Sequence, residues 1–177
     1  MRTVKVLQKG GLLAHQTGTV AGIAAHPKQA KAIKKMQRFK QRKGPFLLLA
    51  SSKSTALSQA RYITPTLRKL AKDSWPGPVT LIFPAKPKYS QACYNKGFMA
   101  VRVDTDSESR RLAGMCGGLL LSSSLNRRGK PIMEMNHQLS RRFSAWLDAC
   151  LASENDVSLN VPSRIYHVLH SGVKCLR

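Results

Sequence analysis

Three polar clusters in this chain have the residue types to hold anions. The first is Lys40-Gln41-Arg42-Lys43-Gly44. A lysine supplies a point charge and an arginine a two-pronged fork, a pairing suited to phosphate oxygens. The same residues at a helix C-terminus would also complement its dipole. The second is Ser122-Ser123-Ser124-Leu125-Asn126, directly after the apolar run Gly118 to Leu121. Hydroxyls and a carboxamide at a strand end can hold phosphate or carboxylate, or form an ordinary polar turn. The third is Arg102 within Ala100-Val101-Arg102-Val103. A charge inside an apolar strand needs a partner, either Asp104 or Asp106 or a substrate anion. Trp75-Pro76-Gly77-Pro78 adds a rigid loop, since two prolines fix backbone angles and the glycine allows an unusual one.

Composition removes other chemistries. The 177 residues carry 30 Lys+Arg against 8 Asp+Glu, a net charge of +22. The N-terminal half has no acidic residue before Asp73, which excludes a carboxylate-pair hydrolase site there and argues against a calcium cage. No H-x-x-x-H pair and no C-x-x-C occur, and Cys93, Cys116, Cys150 and Cys175 lie far apart. No protein metal site is expected, and the thiols are expected reduced and mostly buried. No apolar run approaches the roughly 20 residues of a membrane span, and no leader-type stretch follows Met1 to Lys5, so the cytoplasm is the expected compartment.

A protein this basic is drawn to polyanions. The basic residues are densest from Lys28 to Lys43. Ala32, Ile33, Met36 and Phe39 recur at helical spacing, giving a helix over 27–39 with one apolar stripe. Lys28, Lys31, Lys34, Lys35 and Arg38 are then either a solvated face or an RNA-binding surface. No aromatic-rich strand offers a platform for single strands, so the RNA expected is tRNA or double-stranded RNA, bound with little sequence preference.

The elements that must position these clusters alternate along the chain. Strands are expected at 11–15, 19–24, 45–50, 79–83, 98–103 and 118–122, with a closing hairpin at 165–168 and 172–176. A helix opens at Thr64-Pro65, another at a Thr105/Glu108 capping box ending at Gly114, and a third spans 137–151. The sum is one α/β domain over 1–177 with a mixed sheet.

These clusters, in this order, resemble the YrdC-type threonylcarbamoyl-AMP synthases. Ser74-Trp75-Pro76-Gly77-Pro78-Val79-Thr80 is close to that family's W-P-G-P-x-T signature. Lys40-Gln41-Arg42 matches its Lys-x-Arg, Ala100 to Val103 its A-V-R-V, Ser122 to Asn126 its Ser-x-Ser-Ala-Asn, and Pro162-Ser163-Arg164-Ile165 its Pro-Ser-x-Ile. Its P-T-E segment falls on Gln16-Thr17-Gly18. The departures are Gln16, Gly18, Leu125 for Ala, and His26 for Asp. The resemblance implies a twisted mixed sheet with flanking helices around a basic concave cleft. It implies formation of threonylcarbamoyl-adenylate and pyrophosphate from L-threonine, bicarbonate and ATP, for N6-threonylcarbamoyladenosine at tRNA position 37. Magnesium would arrive with the triphosphate. Lys40, Arg42, Ser122, Ser124, Asn126 and Ser163 would take the nucleotide, and Thr17 and Arg102 the threonine. The alternative is a degenerate member that binds RNA or the ribosome without making the adenylate.

Overall fold

Ala32, Ile33, Met36 and Phe39 are all buried, so the stripe read from their spacing is the inner face of α2 (Ala30–Lys40). The computed structural model describes residues 2–151, 159 and 161–177. Around α2 lie the helices α1 (Arg2–Gln8), α3 (Lys53–Leu57), α4 (Pro65–Ser74), α5 (Ser107–Met115) and α6 (His137–Arg142). The strands are β1 (Leu13–His15), β2 (Gly22–Ala25), β3 (Leu47–Ala50), β4 (Val79–Pro84), β5 (Tyr94–Asn95), β6 (Phe98–Arg102), β7 (Leu119–Ser124), β8 (Ala149–Leu151), β9 (Arg164–Leu169) and β10 (Gly172–Cys175).

They form one mixed sheet in the order β10-β9-β4-β6-β3-β7-β2-β1-β8, with β5 on β6. β1 pairs β8, β3 pairs β6 and β4 pairs β9 in parallel, and the other pairs are antiparallel. The strand–helix alternation of the sequence is therefore realised as an α/β domain.

Alternation along the strands separates two faces. One carries Ile23, Leu48, Leu81, Val101 and Leu121 and is covered by α2, α3 and α4. The other carries Leu13, Ala24, Leu49 and Leu120, against Val4 and Leu7 of α1 and Leu112 and Ala113 of α5. On that second face the register sets Leu49 opposite Leu120 and Leu47 opposite Ser122. Passing from Leu120 to Ser122 thus leaves the helix-covered core and enters an open concavity.

Two expected elements differ. The helix expected over 137–151 ends at Arg142, and residues 149–151 form β8 beside β1. The Asp148 carboxylate accepts the Leu12 amide at 2.7 Å and turns the chain toward the sheet edge. The apolar residues read as one helical side are split between a turn and a strand. Phe143 and Trp146 instead pack edge-on against Phe39, each with centroids 6.1 Å apart. The capping box at Thr105 is also displaced. Asp106 caps α5 by accepting the Ser109 amide at 2.7 Å, and Glu108 pairs with Arg111. At α4, Thr64 caps as expected, accepting the Leu67 amide at 3.1 Å.

Of the thiols, Cys93 and Cys116 are buried while Cys150 and Cys175 are exposed, which corrects the expectation of mostly buried cysteines. Burial pushes Cys93 up to about 12 and Cys116 to about 11, leaving both as inert thiols.

Candidate active site

The concavity is a cleft of about 410 Å³. Thr17, Arg42, Arg102, Ser122, Ser124, Asn126 and Ser163 all line it, although they come from segments spread over the whole chain. Lys40 is the exception, and its placement has a local cause. α2 ends in a Schellman-type turn: the Gln41 amide donates to Arg38 O and the Arg42 amide to Gln37 O, both at 3.2 Å. Gln41 takes the left-handed conformation, with φ 53°. That residue reverses the chain, so Lys40 stays on the inner face of the last helical turn while Arg42 emerges on the cleft wall.

The Lys40 ammonium, 4% exposed as a residue, lies beneath the cleft. Its Nζ is 2.7 Å from Ser124 O and 2.6 Å from both Asn126 O and Asn126 Oδ1. Three N–H donors meet three close acceptors, and the expectation that Lys40 lines the concavity beside Arg42 is corrected. Burial, and secondarily Arg42, pull its pKa down to about 8. Arg42 lies over the Phe46 ring at 4.5 Å, with Nη1 2.6 Å from Pro45 O and Nη2 3.3 Å from Ser123 Oγ. Two donors are engaged and the rest of the fork faces the cleft.

Asn126 lines the cleft with its carboxamide already committed. Its Oδ1 accepts from Lys40 and from Ser124 Oγ at 2.7 Å, and its Nδ2 donates to Lys130 O at 2.7 Å. Leu125, where the resembling family has alanine, is fully buried in the core and does not enter the cleft. Ser163 Oγ lies 2.9 Å from Thr80 Oγ1, tying β9 to β4.

Arg102 finds one of the two partners that the sequence offered. Its Nη2 lies 2.5 Å from Asp104 Oδ2, with side chains 4% and 1% exposed. Its Nη1 donates to Thr19 Oγ1 at 2.7 Å and its Nη2 to Thr17 Oγ1 at 3.4 Å. Burial pushes the guanidinium down and Asp104 opposes. Thr17 Oγ1 in turn donates to Val20 O at 2.8 Å. Arg102 is therefore charge-balanced within the protein. The sequence expectation is that Arg102 faces the threonine carboxylate and holds an acidic neighbour when no ligand is bound. Asp104 is that neighbour, Arg102 and Thr17 both line the cleft, and Arg102 Nε is buried without a hydrogen-bond partner among the described residues.

Sequence reasoning missed several cleft residues. Thr80 was legible as the polar residue of an apolar strand. Ser123 stood within the polar cluster at 122–126, while Thr19 and Arg177 carried no signal. Arg177 lines the cleft and its Nε donates to Ser163 O at 3.1 Å. The Trp-Pro-Gly-Pro loop fixes the start of β4. Trp75, 2% exposed, donates its indole N–H to Val79 O at 2.7 Å. A Cβ on Gly77 would lie 2.1 Å from Ser74 O, so only glycine fits there.

Of the basic residues on and before α2, Lys28, Lys31, Lys34 and Arg38 are exposed. Lys35 is half-buried, and its ammonium pairs with Asp148 at 2.7 Å, linking α2 to the β8 edge. Among the described residues no helix is long and apolar enough to cross a membrane, and no three His, Cys, Asp or Glu side chains gather as a metal cage.

The chain matches the Sua5/YciO/YrdC family, described as "Telomere recombination", over residues 5–177. It is 31% identical over 153 residues to the threonylcarbamoyl-AMP synthase of Nitrosococcus oceani, covering 83% of this chain and 81% of that protein. It is 29% identical over 150 residues to the enzyme of the same name from Halorhodospira halophila, covering 81% and 76%. Among solved structures it is similar to P. abyssi Sua5 complexed with L-threonine, with a TM-score of 0.88 and 23% identity over 99% of this chain. The chain spans 52% of that protein, about half its length. E. coli YciO is similar with a TM-score of 0.83 and 17% identity, covering 99% of this chain and 86% of that one.

Proposed function

Because this chain belongs to the Sua5/YciO/YrdC family, we propose that it makes threonylcarbamoyl-adenylate in the cytoplasm for tRNA modification. The threonine amine and bicarbonate condense to a carbamate with loss of water. A carbamate oxygen then attacks the α-phosphorus of ATP, and pyrophosphate leaves as the P–O bond to the β-phosphate breaks. Every reactant carries negative charge. The chemistry calls for positive residues and preorganised donors holding the groups in line, rather than for a protein carboxylate. ATP enters as its magnesium complex.

The single observation that carries this reading is that Arg42 and the Ser122–Ser124 hydroxyls line one cleft side by side, with Arg42 Nη2 3.3 Å from Ser123 Oγ. A fork and adjacent hydroxyls at a strand end suit the oxygens of a triphosphate. Thr80 and Ser163 line the same cleft, and Arg177 adds a cation beside Ser163. The relatives named threonylcarbamoyl-AMP synthase and the Sua5 complex with L-threonine support the substrate assignment. The test is incubation of the purified chain with ATP, L-threonine and bicarbonate. Pyrophosphate release that needs both threonine and bicarbonate, with the adenylate seen by mass, is expected; ATP hydrolysis alone would reject the reading.

A second reading has its own observation. Lys28, Lys31, Lys34 and Arg38 are exposed and Gly18 departs from the family's motif, which favours a member that binds tRNA or double-stranded RNA. The same assay separates the two, because a pure RNA binder releases no pyrophosphate.

A further inference from the structure

Lys40 and Arg42, two residues apart, grip the same turn from opposite sides. Lys40 Nζ reaches Ser124 O, Asn126 O and Asn126 Oδ1 from beneath, within 2.7 Å. Arg42 Nη2 reaches Ser123 Oγ at 3.3 Å, and its fork lines the cleft while Lys40 does not. A fourth acceptor, Ser124 Oγ, lies 3.5 Å from Nζ. A phosphate oxygen could take an ammonium hydrogen only by displacing a carbonyl or the Asn126 carboxamide. Displacing Asn126 O or its carboxamide would forfeit one of the short contacts that hold the turn. The same turn is closed by Ser124 Oγ donating to Asn126 Oδ1 and by Asn126 Nδ2 donating to Lys130 O.

We infer that Lys40 is a positioning residue: its ammonium fixes the Ser124–Asn126 turn, and through it the Ser122 and Ser123 hydroxyls and the Arg42 fork, without touching the nucleotide. The turn would otherwise be held by the Leu125 amide on Ala21 O and the Met133 amide on Leu125 O, both at 2.8 Å, and by the Asn126 amide on Ser124 O at 2.9 Å. Only the last of these reaches a carbonyl that Lys40 gathers, and none of them restrains Asn126 O. The assignment rests on the proposed adenylate reaction for its kinetic consequence but not for its geometry.

The decisive comparison is Lys40→Met, Asn126→Ala and the double variant, each against wild type. Pyrophosphate affinity is read by calorimetry, adenylate formation by steady-state kinetics, and residues 122–126 by amide hydrogen exchange. Positioning predicts that both single variants exchange faster over 122–126 and lose about tenfold or more in kcat. Arg42 keeps its own anchors on Pro45 O and the Phe46 ring, so pyrophosphate affinity should stay within about threefold, and the double variant should be little worse than the poorer single one, as for residues of one network.

Contact with phosphate predicts the reverse. Lys40→Met would then weaken pyrophosphate about tenfold or more, as for loss of a charge-assisted bond. Its effect would multiply with that of Asn126→Ala, and exchange over 122–126 would not change in Lys40→Met. If Lys40→Met fails to fold, Asn126→Ala alone decides. A freed ammonium that binds pyrophosphate more tightly overturns the assignment, whereas unchanged affinity with faster exchange upholds it. If wild type makes no adenylate, the binding and exchange measurements still decide the role of Lys40, and only the proposed reaction falls.

Discussion

Arg102 and Asp104 oppose each other at 2.5 Å on the cleft wall, with side chains 4% and 1% exposed. Asp104 does more than neutralise. Its Oδ1 also accepts the amides of Gly18 at 2.7 Å and Asp106 at 2.9 Å, so one carboxylate ties β6 to the loop after β1 and the start of α5. Asp104→Asn leaves the guanidinium buried without a counter-charge and is expected to cost about 3–5 kcal/mol. Denaturant unfolding checks this, and Arg102→Met combined with Asp104→Asn should cost less than Asp104→Asn alone. A loss under about 1 kcal/mol, the value of an exposed pair, would show that the pair is not the tie described.

Arg42 is the cation that the end of α2 delivers to the cleft. Arg42→Ala is expected to weaken pyrophosphate about tenfold to a hundredfold, as for loss of a charge-assisted contact. Arg42→Lys should recover only part of that affinity, because a point charge cannot reproduce the fork. Calorimetry with pyrophosphate reads both, and equal binding by wild type and Arg42→Ala contradicts the site.

His15 sits fully buried in β1, its Nδ1 3.2 Å from Ser109 Oγ. Burial pulls its pKa down from 6.5 to about 4, against the opposing fields of Asp104 and Asp106. The folded state therefore binds fewer protons than the unfolded state between those values. Its stabilising share is complete above pH 6.5 and is lost as pH falls toward 4, by about 3 kcal/mol in all. Unfolding free energies measured across this window should decline in wild type and decline less in His15→Gln. Parallel profiles would remove His15 as the cause.

On α2, Lys31, Lys34 and Arg38 are free to meet phosphates while Lys35 is held by Asp148. Reversing the three free residues to Glu is expected to weaken double-stranded RNA binding and to flatten its log-log salt slope by about one unit per lost contact. Lys35→Glu should act mainly on stability by breaking its tie to the β8 edge. Retention of the full slope in the triple variant would put the RNA surface elsewhere.

Much of this architecture is legible in the order of residues because strands and helices read through different periods. The α2 stripe, the β7 apolar run and the Thr64 cap all follow from local spacing. What could not be read is direction at a turn. Lys40-Gln41-Arg42 reads as one phosphate clamp, yet Gln41 at φ 53° sends the two cations to opposite sides of a wall. Helical spacing over 137–151 was genuine but was overruled by pairing between β1 and β8, a contact that local sequence cannot announce. Gly18 reads as a lost glutamate. The structure adds that a Cβ there would lie 1.8 Å from Thr105 Oγ1, so restoring a side chain requires Thr105 to move as well.

The parallel pairing of β1 with β8 has a consequence for the order in which the molecule assembles. Leu12 and Asp148, which bond beside that pair, are 136 positions apart, and Thr80 and Ser163 in the cleft are 83 apart. A growing chain carries β1 with one edge unmatched until residues 149–151 follow, and β4 waits likewise for β9. Such distant closures are slow, because the entropy of a long loop is lost before any contact offsets it. Intermediates with open strand edges are prone to associate, and a charge of +22 holds like copies apart during that interval.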